Sequence, residues 1–365
     1  HEPGDLLIDC ADSVGTKDFR EWCANKNIMY LNTGETDWSD NWYNIFEENL
    51  KKSELRNQLN KKSDVNKYPI VLQHGNNPGL VSHFVKAGLE YIVKKQFKNN
   101  QEFNKLLKEN KFNEIAKAIE LKEVHVNDND YQEIKAKFDE SKLYSTWSID
   151  SFFFEMLSEA TANIGTSEKL DYGKECKLLD LKNGFLEFKD LAIDKIGKTY
   201  YPKGKFEGFL VPHEETITIA KFLEVKNGDE ITYRPTVIFL YSPCDFSVEY
   251  LKKARLNDYL YPDINKPQDN NISIIRGFKY PERAEIIYKE HIKRGTEYVG
   301  VLLLGSKFDP VWVGNRIKKN FLYKDKRSSF WQTPTITPVA MSALAATCWM
   351  IKNKDKGGIY FPDDI

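Results

Sequence analysis

Short apolar runs, each leading into an amphipathic stretch of helical period, constrain this chain more than any other feature. Leu6-Leu7-Ile8-Asp9-Cys10 leads to a helical pattern from Lys17 to Asn25, then to Ile28–Leu31 and the turn Asn32-Thr33-Gly34. The pattern recurs when Tyr68-Pro69-Ile70-Val71-Leu72 passes through Asn76-Asn77-Pro78-Gly79 into a helix from Leu80 to Phe97. Val81, Phe84, Val85, Leu89, Ile92 and Val93 repeat along that helix near every 3.6 residues. Strands apolar on both faces and joined by helical crossovers predict a parallel, doubly wound α/β sheet, with ligands beyond the carboxyl ends of the strands. Asp9, Asp12, Thr33 and Glu35 fall at those ends. The chain starts at His1, in a loop that enters a buried strand, so the N-terminal part of this domain is expected to be missing.

Beyond about residue 100 the character changes. Gly184–Phe188, Gly208–Val211 and Thr236–Leu240 alternate like strands of an antiparallel or mixed sheet, which predicts a second, α+β domain. The expected division is 1–100 for the first domain, 101–330 for the second, and 331–365 for a C-terminal helix returning to the first. That helix is placed at Ala340–Lys352, between Pro334 and Pro338 on one side and Gly357-Gly358 on the other. Residues 38–67 are polar and helical in period.

A length of 365 residues suits two domains, and a 41% hydrophobic content suffices for packed interiors. The net charge of −1 gives no global attraction to nucleic acid or an anionic membrane, and no apolar run has the length of a membrane span. Cys10, Cys23, Cys176, Cys244 and Cys348 are scattered, odd in number and free of C-x-x-C pairs, which fits a reducing cytoplasm.

Three later segments carry candidate chemistry. His213-x-Glu215 sits at the exit of a strand; alternation puts both on one face and Glu214 on the other, an imidazole and carboxylate suited to proton handling. Zinc would need a third ligand that this spacing does not supply, and no metal is expected. Trp147, in Ser145-Thr146-Trp147-Ser148, either faces a cleft, where its indole would hold a cation, or packs in the core. Asn127-Asp128-Asn129-Asp130 lacks the glycine and terminal glutamate of an EF-hand and reads as a turn. Gly295–Gly300 reads as a hairpin turn. There is no G-x-G-x-x-G, Walker loop or G-x-S-x-G elbow.

Taken in order, Gly4–Asp9, Glu21-Trp22-Cys23, Asn77–Lys86, Thr146–Phe152, His213–Thr218 and Trp349–Asp363 resemble the bacterial-type homospermidine synthases of the saccharopine dehydrogenase-like group, over nearly the whole chain. The resemblance implies an NAD-binding, Rossmann-like domain at 1–100 with its glycine fingerprint upstream of His1, a substrate and dimerisation domain at 101–330, and a homodimer. The implied reaction joins two putrescines, or spermidine and putrescine, by amine oxidation, imine exchange and re-reduction, with NAD recycled. It also implies His213 and Glu215 as the proton-handling pair, Trp147 as the stabiliser of a cationic imine, and Asp128 as a catalytic carboxylate. Asp12, Glu35 and Asn77 would bind substrate; Cys10, Ala11, Thr33, Asn76 and Pro78 would line the cofactor.

Two departures bear on activity. Asp128 stands where the family's His-Ile-Ser-Glu motif has glutamate, and Asn163–Glu168 stands for Gly-Trp-Gly-Thr-His-Glu without its tryptophan and histidine. Two further readings therefore stay open. One is another saccharopine-type oxidoreductase, which would need an arginine for a carboxylate substrate. The other is a non-catalytic polyamine-binding homologue.

Overall fold

The computed structural model describes residues 2–11, 15–34, 67–135, 139, 141–168, 176–180, 184–255, 274–275, 278–319 and 333–365. Asp12, Glu35 and nearly all of the polar stretch 38–67 lie outside the described residues. The strands that frame the site are, in chain order, β1 (Leu6–Asp9), β2 (Met29–Asn32), β3 (Pro69–Val71), β4 (Leu121–Asp130), β5 (Glu159–Asn163), β6 (Cys176–Asp180), β7 (Phe185–Leu191), β8 (Ile196–Tyr201), β9 (Gly204–Leu210), β10 (Thr236–Ser242), β11 (Thr296–Gly305), β12 (Val311–Lys318) and β13 (Gly358–Tyr360). The helices used below are α1 (Thr16–Lys26), α2 (Leu80–Gln96), α3 (Ile149–Leu157), α4 (Glu215–Phe222) and α5 (Ile336–Lys352).

The smaller sheet has the order β1-β2-β3-β13, and every pairing in it is parallel. Period-2 alternation explains why both faces are apolar. Tyr30, Ile70 and Leu72 pack on one side with Cys23 and Phe19 of α1, while Met29, Leu31 and Val71 pack on the other with Ala343, Ala346 and Met350 of α5. Helix α1 carries Asp18 in its first turn and Lys26 in its last, and ends on Asn27 at φ 54°, a left-handed cap that asparagine tolerates. Its bounds, and those of α2, lie within a residue or so of those read from periodicity.

The larger sheet has nine strands among the described residues, in the order β12-β11-β4-β10-β5-β7-β6, with β9 paired to β10 and β8 to β9. β4 lies at its centre, parallel to β10 and antiparallel to β11, so the sheet is mixed. Two expectations fail here. Asn127–Asp130 is the last part of β4 rather than a turn, and Thr296–Gly300 begins β11 rather than closing a hairpin. Asn, Asp and Gly disfavour strands on their own, but Glu297 pairs with Asp130, Val299 with Asp128 and Tyr241 with Asp128, and this flanking ladder overrides local preference.

Helix α2 leaves the smaller sheet and lies on the larger one. Val81, Val85, Leu89, Ile92 and Val93 are buried in the main core with Val299, Val301 and Leu303 of β11. A Cβ at Gly88 would come within 2.6 Å of Leu303 Cδ1, so the helix approaches the sheet through a glycine. The same core takes in Phe152, Phe153 and Met156 of α3 and Ile219 and Ala220 of α4.

The turn between β3 and α2 is closed by its own backbone. Gly75 N–H donates to the Pro78 carbonyl at 2.7 Å and Leu80 N–H to the Gly75 carbonyl at 3.0 Å, around a cis Asn77–Pro78 bond. Gly79 has φ 134°, and a Cβ there would lie 2.0 Å from the Gly75 carbonyl oxygen. Gly79→Ala is therefore expected to cost on the order of 3 kcal/mol, combining a disfavoured φ with a backbone clash. Urea unfolding followed by circular dichroism measures this; an unchanged midpoint would show that the turn relaxes freely.

Candidate active site

The site forms where β4 changes character. Val124 and Val126 point into the main core, and the next two residues on that face by alternation are Asp128 and Asp130. Both are buried, as are Glu297 on the adjoining β11, Glu155 on α3 and Glu215 at the first position of α4. Glu215 is only 1% exposed. His213 sits among these carboxyls.

The turn at 73–79 closes the site from the side of the smaller sheet. Asn77 Nδ2 donates to Asp128 Oδ2 at 2.8 Å, and Asn315 Nδ2 of β12 donates to Asn76 Oδ1 at 2.9 Å. The sequence candidates Asn77 and Asp128 thus meet, whereas Asn76 is 2% exposed and serves to dock the turn. Gln73 N–H donates to Asn32 Oδ1 at 2.6 Å, tying the turn to the end of β2. Behind it His74 and His83 bring their Nε2 atoms to 3.0 Å, and His74 Nδ1 contacts Ser342 Oγ at 2.8 Å. Burial, then for His74 the neighbouring His83, pulls each imidazole down to about 4, so the pair is neutral near pH 7.

His213 and Glu215 are brought together, though not by strand alternation. β9 ends at Leu210 and α4 begins at Glu215, so the intervening residues leave the extended conformation. Glu215 Oε2 hydrogen-bonds His213 Nδ1, and Glu214, which alternation would turn away, also faces it at 3.8 Å. A carboxylate in the first turn of a helix is favoured by the helix dipole, which explains the acidic start of α4. His213, Glu214 and Glu215 place donor atoms within 4.8 Å of one another, so Glu214 supplies the third donor that spacing did not. The imidazole ring stacks on Phe239 of β10, with centroids 4.2 Å apart and planes 14° from parallel.

The charges act on one another. Burial pushes Asp128 up to about 8, with Asp130 adding to the shift and the Asn77 bond opposing it. Glu155 is pushed up to about 7 by burial, against the pull of His213. Burial also raises Glu297 well above the carboxylate range, with Asp128 and Asp130 reinforcing it, and raises Asp130 against hydrogen bonds from Thr146 and Gln132. His213 goes the other way: burial disfavours its cation, but Glu215, Glu214 and Glu155 together hold it up to about 10. At neutral pH the site therefore contains an imidazolium beside carboxyls that share protons.

Trp147 unites the two readings left open for it. It packs against the main core, edge-on to Phe152 at 6.5 Å, and is half-buried, with Nε1 donating to the Tyr241 hydroxyl at 3.0 Å. Tyr241 in turn feels Asp128, Asp130 and Glu155. At the carboxyl ends of the smaller sheet, Cys10 and Ala11 are exposed, and Thr33 lies beside Cys10. Pro78 is half-buried in the turn.

Sequence reasoning missed Glu155, Asp130, Glu297 and Tyr241. Glu155 was legible in one respect: a lone carboxylate in Phe152-Phe153-Phe154-Glu155-Met156-Leu157 is costly to bury and asks for a reason. The others needed the strand pairing.

No family model matches the chain. A homospermidine synthase of Mesorhizobium japonicum is 24% identical over 361 residues, covering 96% of this chain and 69% of that protein. One from Blastochloris viridis is 25% identical over 301 residues, covering 80% of this chain and 56% of that protein. Among solved structures, a homospermidine synthase from Legionella pneumophila in complex with NAD superposes with a TM-score of 0.79 at 24% identity, covering 100% of this chain and 72% of that one. The fold is thus shared, and the resemblance read from the ordered motifs extends along almost the whole chain. The chain spans only part of each relative, little more than half of the second.

The raised carboxyl pKa values fix a sign. An acid with its folded pKa above its unfolded one loses folded-state stability as pH rises between the two, from about 4 to about 8 for Asp128. His213, also raised, contributes stability that is complete below its ordinary pKa and is lost as pH rises toward about 10. Asp128→Asn keeps an acceptor for Asn77 and removes one of the carboxyls. The stability of this variant relative to wild type is expected to grow by at least about 1 kcal/mol between pH 5 and pH 8.5, measured by urea titration. An equal difference at both pH values would contradict the burial of an ionisable group there.

Proposed function

We propose that the chain performs homospermidine synthesis, an NAD-dependent aminobutyl transfer between putrescines, or from spermidine to putrescine. The observation that carries this reading is the chamber of buried carboxyls around His213, in which the charges acting on Glu155 and Glu297 come from other acids and from His213. One imidazolium, that of His213, faces several buried carboxyls, and the ammonium groups of a diamine supply the further positive charge such a cluster favours. A carboxylate-bearing substrate, as in other saccharopine-type oxidoreductases, would meet repulsion there.

The dinucleotide reading is supported by the carboxyl ends of the parallel strands, where Cys10 and Ala11 leave small exposed side chains and buried Asn32 Nδ2 has no partner among the described residues. Cys10, Ala11, Thr33 and Pro78 would line the cofactor. NAD, when bound, supplies reversible hydride acceptance from the carbon bearing the amine. On this reading residues 1–100 form the cofactor domain, 101–330 the substrate domain and 331–365 the returning helix. Substrate contacts of Asp12 and Glu35 belong to the proposal as well. So do a homodimer and a cytoplasmic location, the latter supported by the free thiols of Cys10, Cys23, Cys244 and Cys348. No helix among the described residues is long and apolar enough to cross a membrane.

Hydride loss needs a neutral amine, so an ammonium proton must first leave. His213 at rest already holds its proton, and Glu155, pushed up to about 7, is the better acceptor. An ammonium entering beside His213 repels the imidazolium and lowers its pKa, which frees the ring to take over once substrate is seated. Trp147, oriented by Tyr241, offers an indole face to the cationic imine, an attraction of about 2 kcal/mol when desolvated. Asp128, pinned by Asn77, presents its second oxygen, which has no partner among the described residues, to the far ammonium.

Incubation with putrescine and a catalytic amount of NAD should yield homospermidine by mass spectrometry without lasting NADH absorbance. Steady NADH accumulation would instead indicate an ordinary dehydrogenase, and putrescine binding without product a non-catalytic homologue. Turnover should rise with pH through about 7 as Glu155 ionises. Glu155→Gln should lower kcat by about 10²–10⁴-fold and remove that limb of the profile while leaving NAD affinity unchanged. A full rate in this variant would exclude Glu155 as acceptor.

A further inference from the structure

A cavity of about 290 Å³ opens where β4 ends and β11 begins, on elements adjoining the buried carboxyls but with the opposite charge. Lys203, Arg294, Lys318 and Lys319 line it, with Tyr131 and a single carboxylate, Glu133. Glu133 is already engaged, accepting from Arg294 Nε at 2.8 Å. That leaves the terminal amino groups of the guanidinium without a protein partner among the described residues, and these are the groups that grip tetrahedral oxyanions.

Lys203 and Lys318 are held without neutralisation among the described residues. Lys203 Nζ lies 5.6 Å from the ring centre of Tyr131 and 5.4 Å from that of Tyr298, so aromatic faces rather than a carboxylate position it. Tyr131 is fixed in turn, accepting from Asn129 Nδ2 at 3.1 Å and meeting the Tyr201 hydroxyl at 2.9 Å. Lys318 is exposed and makes no ion pair among the described residues. Lys319 turns its ammonium onto the carbonyls of Ile292 and Lys293. Burial, then the nearby Lys135 and Lys289, pull its pKa down, the response of a cation crowded by like charge.

We propose that this cavity binds a small, multiply charged phosphate oxyanion of about diphosphate size. With Arg294 paired to Glu133, Lys203 and Lys318 leave two positive charges for two or more negative ones to balance, and the volume lies at the lower limit of ligand pockets, too small for a whole nucleotide. The site is separate from both the carboxyl chamber and the strand ends proposed for the dinucleotide.

Inorganic pyrophosphate tests it, with thermal unfolding and ³¹P line broadening as readouts, in the presence of excess NAD so that dinucleotide sites are competed. Wild-type protein should show a saturable rise in melting temperature that NaCl of equal ionic strength does not reproduce. The double variant Lys203→Ala/Lys318→Ala should bind at least tenfold more weakly, whereas Lys203→Arg/Lys318→Arg and the distant Lys95→Ala/Lys98→Ala should bind like wild type. Equal binding by the double alanine variant, or an equal effect of NaCl, would overturn the proposal. Tighter binding of citrate than of pyrophosphate would overturn its assignment to phosphate.

Discussion

Everything at the candidate active site depends on how the turn between β3 and α2 docks against the larger sheet. Asn77 reaches Asp128 at 2.8 Å, and Asn76 receives the amide of Asn315 at 2.9 Å, so one turn holds a central strand and an edge strand at once. Side-chain amides suit this task, since each both donates and accepts and none adds charge to an acidic site. Gly79 lets the backbone fold tightly enough for both asparagines to face the sheet. The same turn reaches back to Asn32 through Gln73, so the ends of the parallel strands and the carboxyl chamber share one rigid connector.

A central strand bearing two buried aspartates is a poor choice for stability alone. The molecule tolerates it by keeping the acids partly protonated and by placing an imidazolium among them, and it gives up some resistance to alkaline pH in return. Functional sites often retain such local conflict, because an interior with more acids than cations favours the ligand that brings positive charge.

The parallel layer was legible because its signal is local. Leu6–Asp9, Ile28–Leu31 and Tyr68–Leu72 are apolar without alternation, and the helices between and after them keep a clean period. His213, Glu215, Trp147 and Asn77 could be picked out by chemistry and by ordered resemblance. What stayed hidden was set by pairing across the chain. Asn127–Asp130 looks like a turn until β10 and β11 are laid beside it, and Glu297 meets Asp130 only through that register. Glu214 was assigned to the wrong face because the chain stops being a strand sooner than its apolar pattern suggests.

The last strand of the smaller sheet, β13, pairs in parallel with β3, with Gly358 opposite Pro69, across most of the length of the chain. Every strand of the larger sheet is translated between them. The parallel layer therefore cannot close until the layer it serves has been synthesised, and its β13 edge stays open during that interval. Closing so long a loop carries an entropic cost on the order of 5 kcal/mol in a free chain. Prior folding of the intervening strands shortens the effective loop, so this topology imposes an order of assembly, with the carboxyl chamber built first and the parallel layer completed last.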